Sequence, residues 1–479
     1  MVVGEIPEGI DLLVVGAGPG GYTAALRGAQ LGREVTLVDH GGLSGVGGVC
    51  LQTGCIPSKA LIEIAETAHR ARSWSSAGLH TEGLTIDLGA FQRFKDEIVR
   101  RLGDTVRRQL DAAGVHVLPG RVCFTRPGQA AIEQDGGGPS RFVEFRDVIL
   151  ATGSRSIELQ ELPHDGQRVL DSSDALALHT LPTRLAVIGA GCIGVELGTA
   201  FAKLGAHVTI IEALDRLLPT MDAAVAPPVQ QRLTTLGVDV LVGARARDYD
   251  DRRLKVDTAR GMRIVDADVV VVAVGRRPNS DDLGLGRLGV RPRPDGVLEV
   301  GPDRLVRPHI AAIGDLTRGP ALAHKATAEA EVAAAALCGR PAAFDPVALP
   351  AVVFSDPEVA VAGLSAAQAR AAGITARVAT VPLAASGRVA TLNPDDLEVF
   401  GACSDRRGWG RNEGFARLVI DADADAVVGA QLVGPHASEL IAEAVLAIEM
   451  AASPADLAGA IHPHPTLSEL LAQAARRVS

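Results

Sequence analysis

Two cysteines, Cys50 and Cys55, lie close together near the start of the chain, in the stretch GGVCLQTGCIPSK that ends at Lys59. Such a pair can serve as a structural disulfide, as half of a metal site or as a redox-active couple. A zinc site would need further cysteine or histidine ligands at a suitable spacing, and the sequence offers none, so no metal is expected. The scattered other cysteines are expected to be mostly small buried hydrophobic residues; they are Cys123, Cys192, Cys338 and Cys403.

The composition is that of a soluble, multidomain protein. A chain of 479 residues is too long for one ordinary core, so three or four domains are expected. A net charge of −10 and a pI near 5.7 argue against a non-specific nucleic-acid surface. The first residues, MVVGEIPEGI, lack the pattern of a signal peptide, and no apolar run reaches the roughly 18 residues of a membrane helix. A cytoplasmic protein without membrane contact is therefore expected.

One strand–turn–helix–strand plan occurs twice, from Asp11 and again from Arg184. Each copy has GxGxxG between an apolar strand and a helix, and each second strand closes on an acid, Asp39 or Glu212, at the same distance from the first glycine. A lone GxGxxG is a weak signal, but this context is that of a dinucleotide-binding fingerprint. The sequence therefore predicts two bound dinucleotides.

Each fingerprint position has a physical reason. The first glycine allows the tight turn, the second lets the backbone approach a pyrophosphate, and the third lets the helix pack on the strand; these are Gly16, Gly18 and Gly21 in the first copy and Gly189, Gly191 and Gly194 in the second. The acid binds the ribose hydroxyls. Glu212 would repel a 2′-phosphate, and no arginine follows directly, so NAD is preferred to NADP at the second site, although Arg216 lies only four residues further on.

Further predicted helices and strands must support the two glycine loops. A helix is predicted from about Thr81 to Gly114, and the stretches DVILATGS, DVVVVAVGRRPN and HIAAIGDL are predicted to be strands that end in turns. From about Pro350, strands alternate with alanine-rich helices, which indicates a separate α+β domain.

With these motifs in place, the sequence resembles the pyridine nucleotide–disulfide oxidoreductases, and within them the branch that oxidises dihydrolipoamide. The match runs from GAGPGGY through GGVCLQTGCIPSK, ATGS, GAGCIGVELG, VGRRPN, AIGDLTRGPALAHKA and FSDPEVA to HPHPTLSE. The resemblance implies an α/β fold with two Rossmann-like domains, for FAD and then NAD, and a C-terminal α+β dimerisation domain. The expected domains are residues 1–155 (FAD and disulfide), 156–280 (NAD), 281–349 (completing the FAD site) and 350–479 (dimerisation).

The resemblance, together with geometry, favours the redox interpretation of the cysteine pair. In a regular helix their Cα atoms would be about 8.7 Å apart, whereas a disulfide needs about 4.4–6.8 Å. The two cysteines can therefore bridge only if the segment departs from a regular helix, and Gly54, with Pro57 just beyond, gives it that freedom. A disulfide across so short a loop stabilises the fold poorly, which suits an exchangeable one.

The resemblance implies a role for each catalytic candidate. Cys50 is expected to exchange with the substrate and Cys55 to face the flavin. Lys59 is expected near flavin N5 with Glu196 as its acidic partner. His464 and Glu469 in HPHPTLSE correspond to a histidine–glutamate base pair, beside a structural His462.

The cofactor contacts implied by the resemblance are equally specific. The FAD set comprises Gly16, Gly18, Gly21, Asp39, Gly48, Lys59, Val122, Asp315 at the ribityl chain, and Ala323. The NAD set comprises Gly189, Gly191, Ile193, Gly194, Glu212, Arg245 and Gly275.

The resemblance also implies partners. These are a second copy of the chain, in a homodimer whose active sites are shared, and the lipoyl domains and acyltransferase core of a 2-oxo acid dehydrogenase complex. The alternatives are a related reductase resembling glutathione or mercuric reductase, and a non-catalytic docking subunit. Three departures from the family pattern are Cys192, where a larger residue is common near the nicotinamide, Asp39, where glutamate is more usual, and an insertion around residues 393–411.

Overall fold

The computed structural model describes residues 8–134, 140–392 and 414–478, so the insertion at 393–411 lies outside the described residues. The described strands are β1 Glu8–Val15, β2 Val35–Asp39, β3 His116–Pro119, β4 Arg121–Arg126, β5 Gln129–Glu133, β6 Arg141–Leu150, β7 Ser154–Ser156, β8 Val169–Leu170, β9 Arg184–Ile188, β10 His207–Ile211, β11 Asp239–Leu241, β12 Arg245–Asp250, β13 Arg253–Thr258, β14 Gly261–Asp266, β15 Val269–Val272, β16 Arg276–Pro278, β17 Leu305–Arg307, β18 Ile310–Ala312, β19 Ala351–Val353, β20 Val359–Gly363, β21 Ala376–Pro382, β22 Phe415–Asp421 and β23 Ala426–Val433. The described α-helices are α1 Pro19–Gln30, α2 Gly48–Gln52, α3 Cys55–Ser73, α4 Leu88–Ala112, α5 Ser172–Leu176, α6 Cys192–Leu204, α7 Ala226–Thr235, α8 Ala323–Leu337, α9 Ala366–Ala371, α10 Ala437–Glu449, α11 Pro454–Gly459 and α12 Glu469–Arg476.

The chain divides into two compact units. The first comprises Met1–Ser58, Ala90–Ile157 and Arg276–Asp345, and the second comprises Lys59–Gly89, Glu158–Gly275 and Pro346–Ser479. Within the described ranges, no helix is both long and apolar enough to cross a membrane.

The first unit is built on an eight-stranded sheet with the order β17-β18-β6-β1-β2-β3, to which the β4–β5 hairpin is added beside β6. Strand β1 pairs in parallel with both β2 and β6, and β18 continues the parallel set beyond β6. Both faces of β1 are buried, since Leu12 and Val14 pack with alanines of α1 and α8, whereas Leu13 and Val15 enter a cluster on the opposite face. Burial on both faces explains why β1 is a continuous apolar run instead of an alternating one.

The second unit contains two separate sheets of five strands and a smaller antiparallel sheet. The strands β11-β10-β9-β15-β8 form a parallel sheet, and β12-β13-β14 form the three-stranded antiparallel one. Residues from 351 onward form the antiparallel sheet β19-β20-β23-β22-β21, whose core is closed by residues of α10 and α12 such as Ile441 and Leu471. The predicted C-terminal α+β arrangement is present.

The prediction of a helix from Thr81 to Gly114 is wrong at its start. The helix α4 begins only at Leu88, and the residues from Leu79 to Asp87 have no regular structure. Gly83 has a φ of +68°, in the left-handed region that is incompatible with a helical turn. The stretch HTEGLTID therefore connects α4 to the preceding segment instead of extending the helix.

A buried ion-pair network supports the turn after β18. Glu329 of α8 is 0% exposed, and its carboxylate accepts hydrogen bonds from the Gly314 amide at 2.7 Å and from Arg304 Nη1 at 3.0 Å. Lys325 Nζ donates to the Gly314 carbonyl at 2.9 Å and lies 3.2 Å from the same carboxylate. Since a buried charge is tolerated only when paired and hydrogen-bonded, the network holds the turn that carries Asp315.

We expect Glu329→Gln to lower the free energy of unfolding by about 3–5 kcal/mol, because an amide cannot accept from all of these donors and leaves buried charge uncompensated. The matched control is Glu331→Gln on the same helix, whose ion pair with Arg27 is partly exposed and should change stability by at most about 1 kcal/mol. Urea unfolding of both variants measures the difference. Equal urea midpoints for the two variants would contradict the role of Glu329 in the buried ion-pair network.

Candidate functional site

The first glycine loop lies where the parallel strands β1, β6 and β18 end. Gly16 has a φ of +99°, and a Cβ there would lie 2.4 Å from the Ala151 carbonyl oxygen; a Cβ at Gly21 would lie 1.7 Å from the Gly16 carbonyl oxygen. At Gly18, by contrast, a Cβ would meet no atom within 4 Å. The loop is therefore closed on its protein side and open at Gly18, where the first-turn amides of α1 can donate to a phosphate.

Asp39 also has a structural role in the first glycine loop. Its Oδ2 accepts a hydrogen bond from the Ala17 amide at 2.8 Å, and its Oδ1 accepts one from the Gly41 amide at 3.0 Å. The carboxylate thus holds the glycine loop against the end of β2. It is half-buried, so it keeps lone pairs for a ligand hydroxyl.

Asp315 lies at the edge formed by the same strands. Its carboxylate accepts a hydrogen bond from the Ser154 hydroxyl at 2.5 Å, and Arg276 Nε donates to that hydroxyl oxygen at 2.8 Å. Ala323 is the first residue of α8, which follows Asp315 after a short connection. Val122 is buried in β4, next to the turn at Gly120.

The second glycine loop repeats the construction of the first. Gly189 has a φ of +99°, a Cβ there would lie 2.4 Å from the Ala273 carbonyl oxygen, and a Cβ at Gly194 would lie 1.9 Å from the Gly189 carbonyl oxygen. A Cβ at Gly191 would again meet no atom within 4 Å. Both loops therefore have the shape that a pyrophosphate requires.

Glu212 occupies the place of Asp39 in this second copy. Its Oε2 accepts from the Ala190 amide at 2.7 Å and its Oε1 from the Leu214 amide at 2.8 Å. Arg216, the one cation that left the NAD preference open, donates through Nη2 to the carbonyl oxygens of Pro219 and Met221 at 2.9 and 3.0 Å. Its guanidinium is thus engaged with its own loop in this structure.

The remaining predicted NAD contacts are spread around this loop. Ile193 lies in the first turn of α6, Gly275 lies beyond the end of β15 with a φ of +128°, and Arg245 is the exposed first residue of β12. Cys192 begins α6, and burial raises the pKa of its thiol, with the Glu196 carboxylate adding to the effect. A thiol with a raised pKa is a poor nucleophile, which favours a packing role for Cys192.

The cysteine segment departs from a regular helix, as expected. Helix α2 ends at Gln52 and α3 begins at Cys55, so the two cysteines lie on different helices across the break at Thr53 and Gly54. Cys55 is exposed and Cys50 is half-buried. The segment is attached to the first glycine loop, because the Gly47 amide donates to the Ala17 carbonyl at 2.8 Å. Gly48 fits against Gly18, where a Cβ would approach the Gly18 Cα to 2.7 Å.

Lys59, on α3, forms an ion pair with Glu196 of α6. The Nζ–Oε2 distance is 2.9 Å, and the Phe354 amide donates to the other carboxylate oxygen at 2.9 Å. Lys59 Nζ also lies 4.2 Å from the centroid of the Phe354 ring, within cation–π range. The predicted partners are thus brought together, and Phe354 is a third member that the sequence motifs did not indicate.

His464 and Glu469 are also brought together. His464 Nδ1 lies 3.0 Å from Glu469 Oε1, and the Thr466 amide donates to Glu469 Oε2 at 2.9 Å. The Thr466 amide, and secondarily His464, lower the pKa of Glu469, so that it is a carboxylate at neutral pH. The His464 side chain is 81% exposed. Its neighbour His462 instead contacts the Ala460 carbonyl and Glu443 of α10, as a structural residue would.

Sequence reasoning missed the groups that support the site. Ser154, Arg276, Phe354 and the network around Glu329 lie in stretches quoted for the resemblance or beside them, but nothing in residue type or spacing pairs them. The only signal that could have found some of them is their position directly after apolar strands, where parallel strands bring turns to one edge.

The comparisons with known proteins agree with this geometry. The chain matches the model of the family described as pyridine nucleotide-disulphide oxidoreductase over residues 10–330, and the dimerisation domain of that family over residues 349–475. Dihydrolipoyl dehydrogenase 2 of Haloarcula marismortui is 43% identical over 482 residues, which cover 99% of this chain and 98% of that protein. The dihydrolipoyl dehydrogenase of Geobacillus stearothermophilus is 42% identical over 480 residues, which cover 99% and 97%.

Solved structures give the same result for the fold. LpdA from Mycobacterium tuberculosis superposes with a TM-score of 0.86 at 27% identity, covering 98% of this chain and 100% of that one. The flavoprotein disulfide reductase RclA from Escherichia coli, at 23% identity and a TM-score of 0.83, is similar in fold. The predicted α/β fold class with a dimerisation domain is confirmed, and the chain belongs to the pyridine nucleotide–disulphide oxidoreductase family.

Proposed function

We propose that this protein is a dihydrolipoyl dehydrogenase, which oxidises dihydrolipoamide to lipoamide and reduces NAD⁺ to NADH with release of one proton. The observation that carries the proposal is the His464–Glu469 pair, whose ring is 81% exposed and oriented by a carboxylate. Exposure of this kind has no packing explanation, whereas a dithiol substrate requires a base. Relatives that share more than two fifths of the residues over nearly the whole chain bear the name of this activity.

The base acts on the substrate thiols. Thiols with a pKa of about 8.5 are mostly protonated at neutral pH, and only the thiolate attacks a disulfide. With Nδ1–H donated to Glu469, His464 presents Nε2 as an acceptor for the substrate proton. The ionised Glu469 then stabilises the imidazolium that forms.

The cysteines carry the exchange. In the disulfide form of the pair, one substrate sulfur attacks Cys50, the Cys50–Cys55 bond breaks and Cys55 leaves as a thiolate. The second substrate sulfur, once deprotonated, attacks the first, which closes lipoamide and releases Cys50 as a thiolate. FAD, which the first glycine loop, Asp39 and Asp315 would hold, would supply two-electron redox chemistry between the reduced cysteine pair and NAD⁺. Lys59, held by Glu196, places a positive charge on the helix that begins at Cys55.

The residues that would hold the cofactors include the two open loops and the further contacts that the family resemblance implies. FAD would be held by Gly16, Gly18, Gly21, Asp39, Gly48, Lys59 beside the flavin, Val122, Asp315 and Ala323, and NAD by Gly189, Gly191, Ile193, Gly194, Glu212, Arg245 and Gly275. The engagement of Arg216 with Pro219 and Met221 supports NAD over NADP, because the Arg216 guanidinium donates to its own loop and is not turned to a 2′-phosphate.

A homodimer with shared active sites is part of the proposal. Residues of the matched dimerisation domain include large apolar side chains that are strongly exposed, namely Ile461 at 98%, Met450 at 71% and Leu446 at 60%. Covering them with a second copy removes apolar surface from water. His464 of the partner subunit would then serve the cysteines of this one.

The wider partners are lipoyl domains and the acyltransferase core of a 2-oxo acid dehydrogenase complex, which supply the dihydrolipoyl group. A cytoplasmic location completes the proposal, because NAD⁺, the proposed electron acceptor, is available there.

An anaerobic titration tests the proposed function. Dihydrolipoamide is added to the FAD-loaded protein, the visible spectrum of the flavin is recorded, and NAD⁺ or NADP⁺ is then added. Reduction by dihydrolipoamide and reoxidation by NAD⁺ alone is the expected result. Reduction by NADPH and reoxidation by glutathione disulfide would instead identify a related reductase, and no response to any dithiol would identify a docking subunit.

We expect His464→Gln to lower kcat/KM for dihydrolipoamide by about 100- to 10,000-fold, since general base catalysis typically contributes that much. The NADH-driven reduction of an artificial electron acceptor, which needs no thiol deprotonation, should be unchanged. His80→Gln, at an exposed histidine, is the control and should match the parent protein in both assays. A His464→Gln enzyme that retains full dithiol activity would exclude this base.

Substitutions at Gly191 and Gly194 distinguish a glycine that leaves room for the nucleotide from one that the packing of the fold requires. Gly191→Ala should leave thermal unfolding unchanged, because its Cβ would meet no protein atom within 4 Å, but should weaken NADH binding by about 5- to 100-fold through steric conflict with the pyrophosphate. Gly194→Ala should destabilise the fold, since its Cβ would lie 1.9 Å from a carbonyl oxygen. Fluorescence titration with NADH and a thermal melt distinguish the two. Unchanged NADH affinity in Gly191→Ala would contradict the placement of the nucleotide.

A further inference from the structure

Three elements of the second unit are joined by two layers of ion pairs. The elements are α3, α6 and the connection between β19 and β20, which contains Phe354 and Asp356. Lys59 and Glu66 lie two turns apart on α3, and Glu196 and Lys203 lie two turns apart on α6. Each layer therefore takes one residue from each helix and one from the connection.

The first layer contains Lys59, Glu196 and Phe354. Phe354 contacts both partners of the ion pair, since its amide donates to Glu196 Oε1 at 2.9 Å and its ring centroid lies 4.2 Å from Lys59 Nζ. Glu196 is 8% exposed, so its second oxygen needs this amide donor. Phe354 thus restrains the acid through its backbone and the ammonium through its side chain.

The second layer contains Glu66, Lys203 and Asp356. Lys203 is 5% exposed; its Nζ lies 2.6 Å from Asp356 Oδ2 and also pairs with Glu66. Arg232 Nε donates to the same Asp356 oxygen at 2.9 Å. Burial alone would raise the pKa of Asp356, but Lys203 and Arg232 outweigh burial and lower it to about 2. The carboxylate that anchors the layer is therefore ionised at neutral pH.

Arg232 completes the surroundings of this layer. Its Nη2 lies 3.0 Å from His69 Nε2, and burial, followed by the charges of Lys203 and Arg232, lowers the pKa of His69. His69 is therefore neutral at neutral pH and accepts the hydrogen bond of Arg232. The layer has balanced charge, with Lys203 and Arg232 facing Glu66 and Asp356.

The signs of the charges are opposite in the two layers. In the first layer α3 supplies the cation and α6 the anion, whereas in the second α3 supplies Glu66 and α6 supplies Lys203. A slip of α3 by two turns along α6 would bring Lys59 opposite Lys203, or Glu66 opposite Glu196. Since Glu196 and Lys203 are buried and like charges repel, either slip is unfavourable, and setting register is the best-attested use of buried ionic groups.

We propose that Phe354 and Asp356 are positioning residues for Lys59: Phe354 holds its ammonium directly, and Asp356 holds α3 in register through Lys203. The consequence for catalysis rests on the proposed function, in which Lys59 acts beside the flavin. The positional claim itself can be measured without turnover.

Trace acetylation of the FAD-loaded protein, read by mass spectrometry, tests the proposal. The chain has only the lysines Lys59, Lys95, Lys203, Lys255 and Lys325, so each can be followed separately. Lys255, whose side chain is 49% exposed, is the internal reference, and Lys325, at 2% exposure in the other unit, reports general loosening.

Phe354→Leu should raise the acetylation rate of Lys59 by about 3- to 10-fold, the range that corresponds to losing one cation–π contact. Lys203 and Lys325 should be unchanged, and Phe354→Tyr, which keeps an aromatic face, should restore the parent rate. Phe415→Leu is the control, because it removes another buried ring that stacks on a cation, Arg417, at 4.6 Å, and should leave Lys59 unchanged.

Asp356→Asn should raise the rates of both Lys203 and Lys59 and should shift the visible spectrum of the bound flavin in the same direction as Phe354→Leu. A rise at Lys203 without one at Lys59 would overturn the claim for Asp356. A rise at Lys325 equal to that at Lys59 would reduce the effect to general loosening and overturn the proposal. If the parent protein fails to oxidise dihydrolipoamide while Lys59 responds as expected, the proposed function fails and the positional claim stands.

Discussion

The closeness of helix to loop at the two glycine fingerprints is the constraint on which the rest of the structure depends. Helices α1 and α6 begin so near the preceding turns that a Cβ at Gly21 or Gly194 would lie 1.7 or 1.9 Å from a carbonyl oxygen. This contact directs the helix amides at the strand ends, where a dinucleotide phosphate can be bound. It also places the loop amides of Ala17 and Ala190 within reach of Asp39 and Glu212. The position of the cysteine segment depends on this loop, because the Gly47 amide at the start of the segment donates a hydrogen bond to the Ala17 carbonyl.

Buried charges in this protein specify geometry more than they add stability. Glu329 ties the turn that carries Asp315, and the layers at Glu196 and Asp356 set α3 against α6. Replacing buried ion pairs by apolar residues often leaves the free energy of unfolding unchanged. Their presence is therefore best explained by the side-chain positions that they enforce. In each case the restrained residue, Asp315 or Lys59, is a predicted cofactor contact.

The segment that contains His464 differs from these buried networks, because its histidine is held locally but remains exposed. His464 is held by its own segment through Glu469 and Thr466, yet its ring is 81% exposed. Nearby, Ile461 is 98% exposed. A histidine presented to solvent beside uncovered apolar surface is suited to a contact with a second chain, in agreement with the match to a dimerisation domain.

The sequence by itself determined the two fingerprints, the cysteine pair and the histidine–glutamate motif, because each depends on residues close together in the chain, where spacing reports geometry directly. It also indicated that the cysteines could form a disulfide only if the segment departed from a regular helix, and the helix is interrupted between α2 and α3. Only the tertiary structure decided the rest. The left-handed Gly83 excludes the predicted early start of α4, and Arg216 donates to carbonyl oxygens of its own loop. The links of Ser154 to Asp315 and of Phe354 to Lys59 join segments that are far apart in the chain. Residue type and spacing carry no information about such pairs, because the fold, not the chain, makes them neighbours.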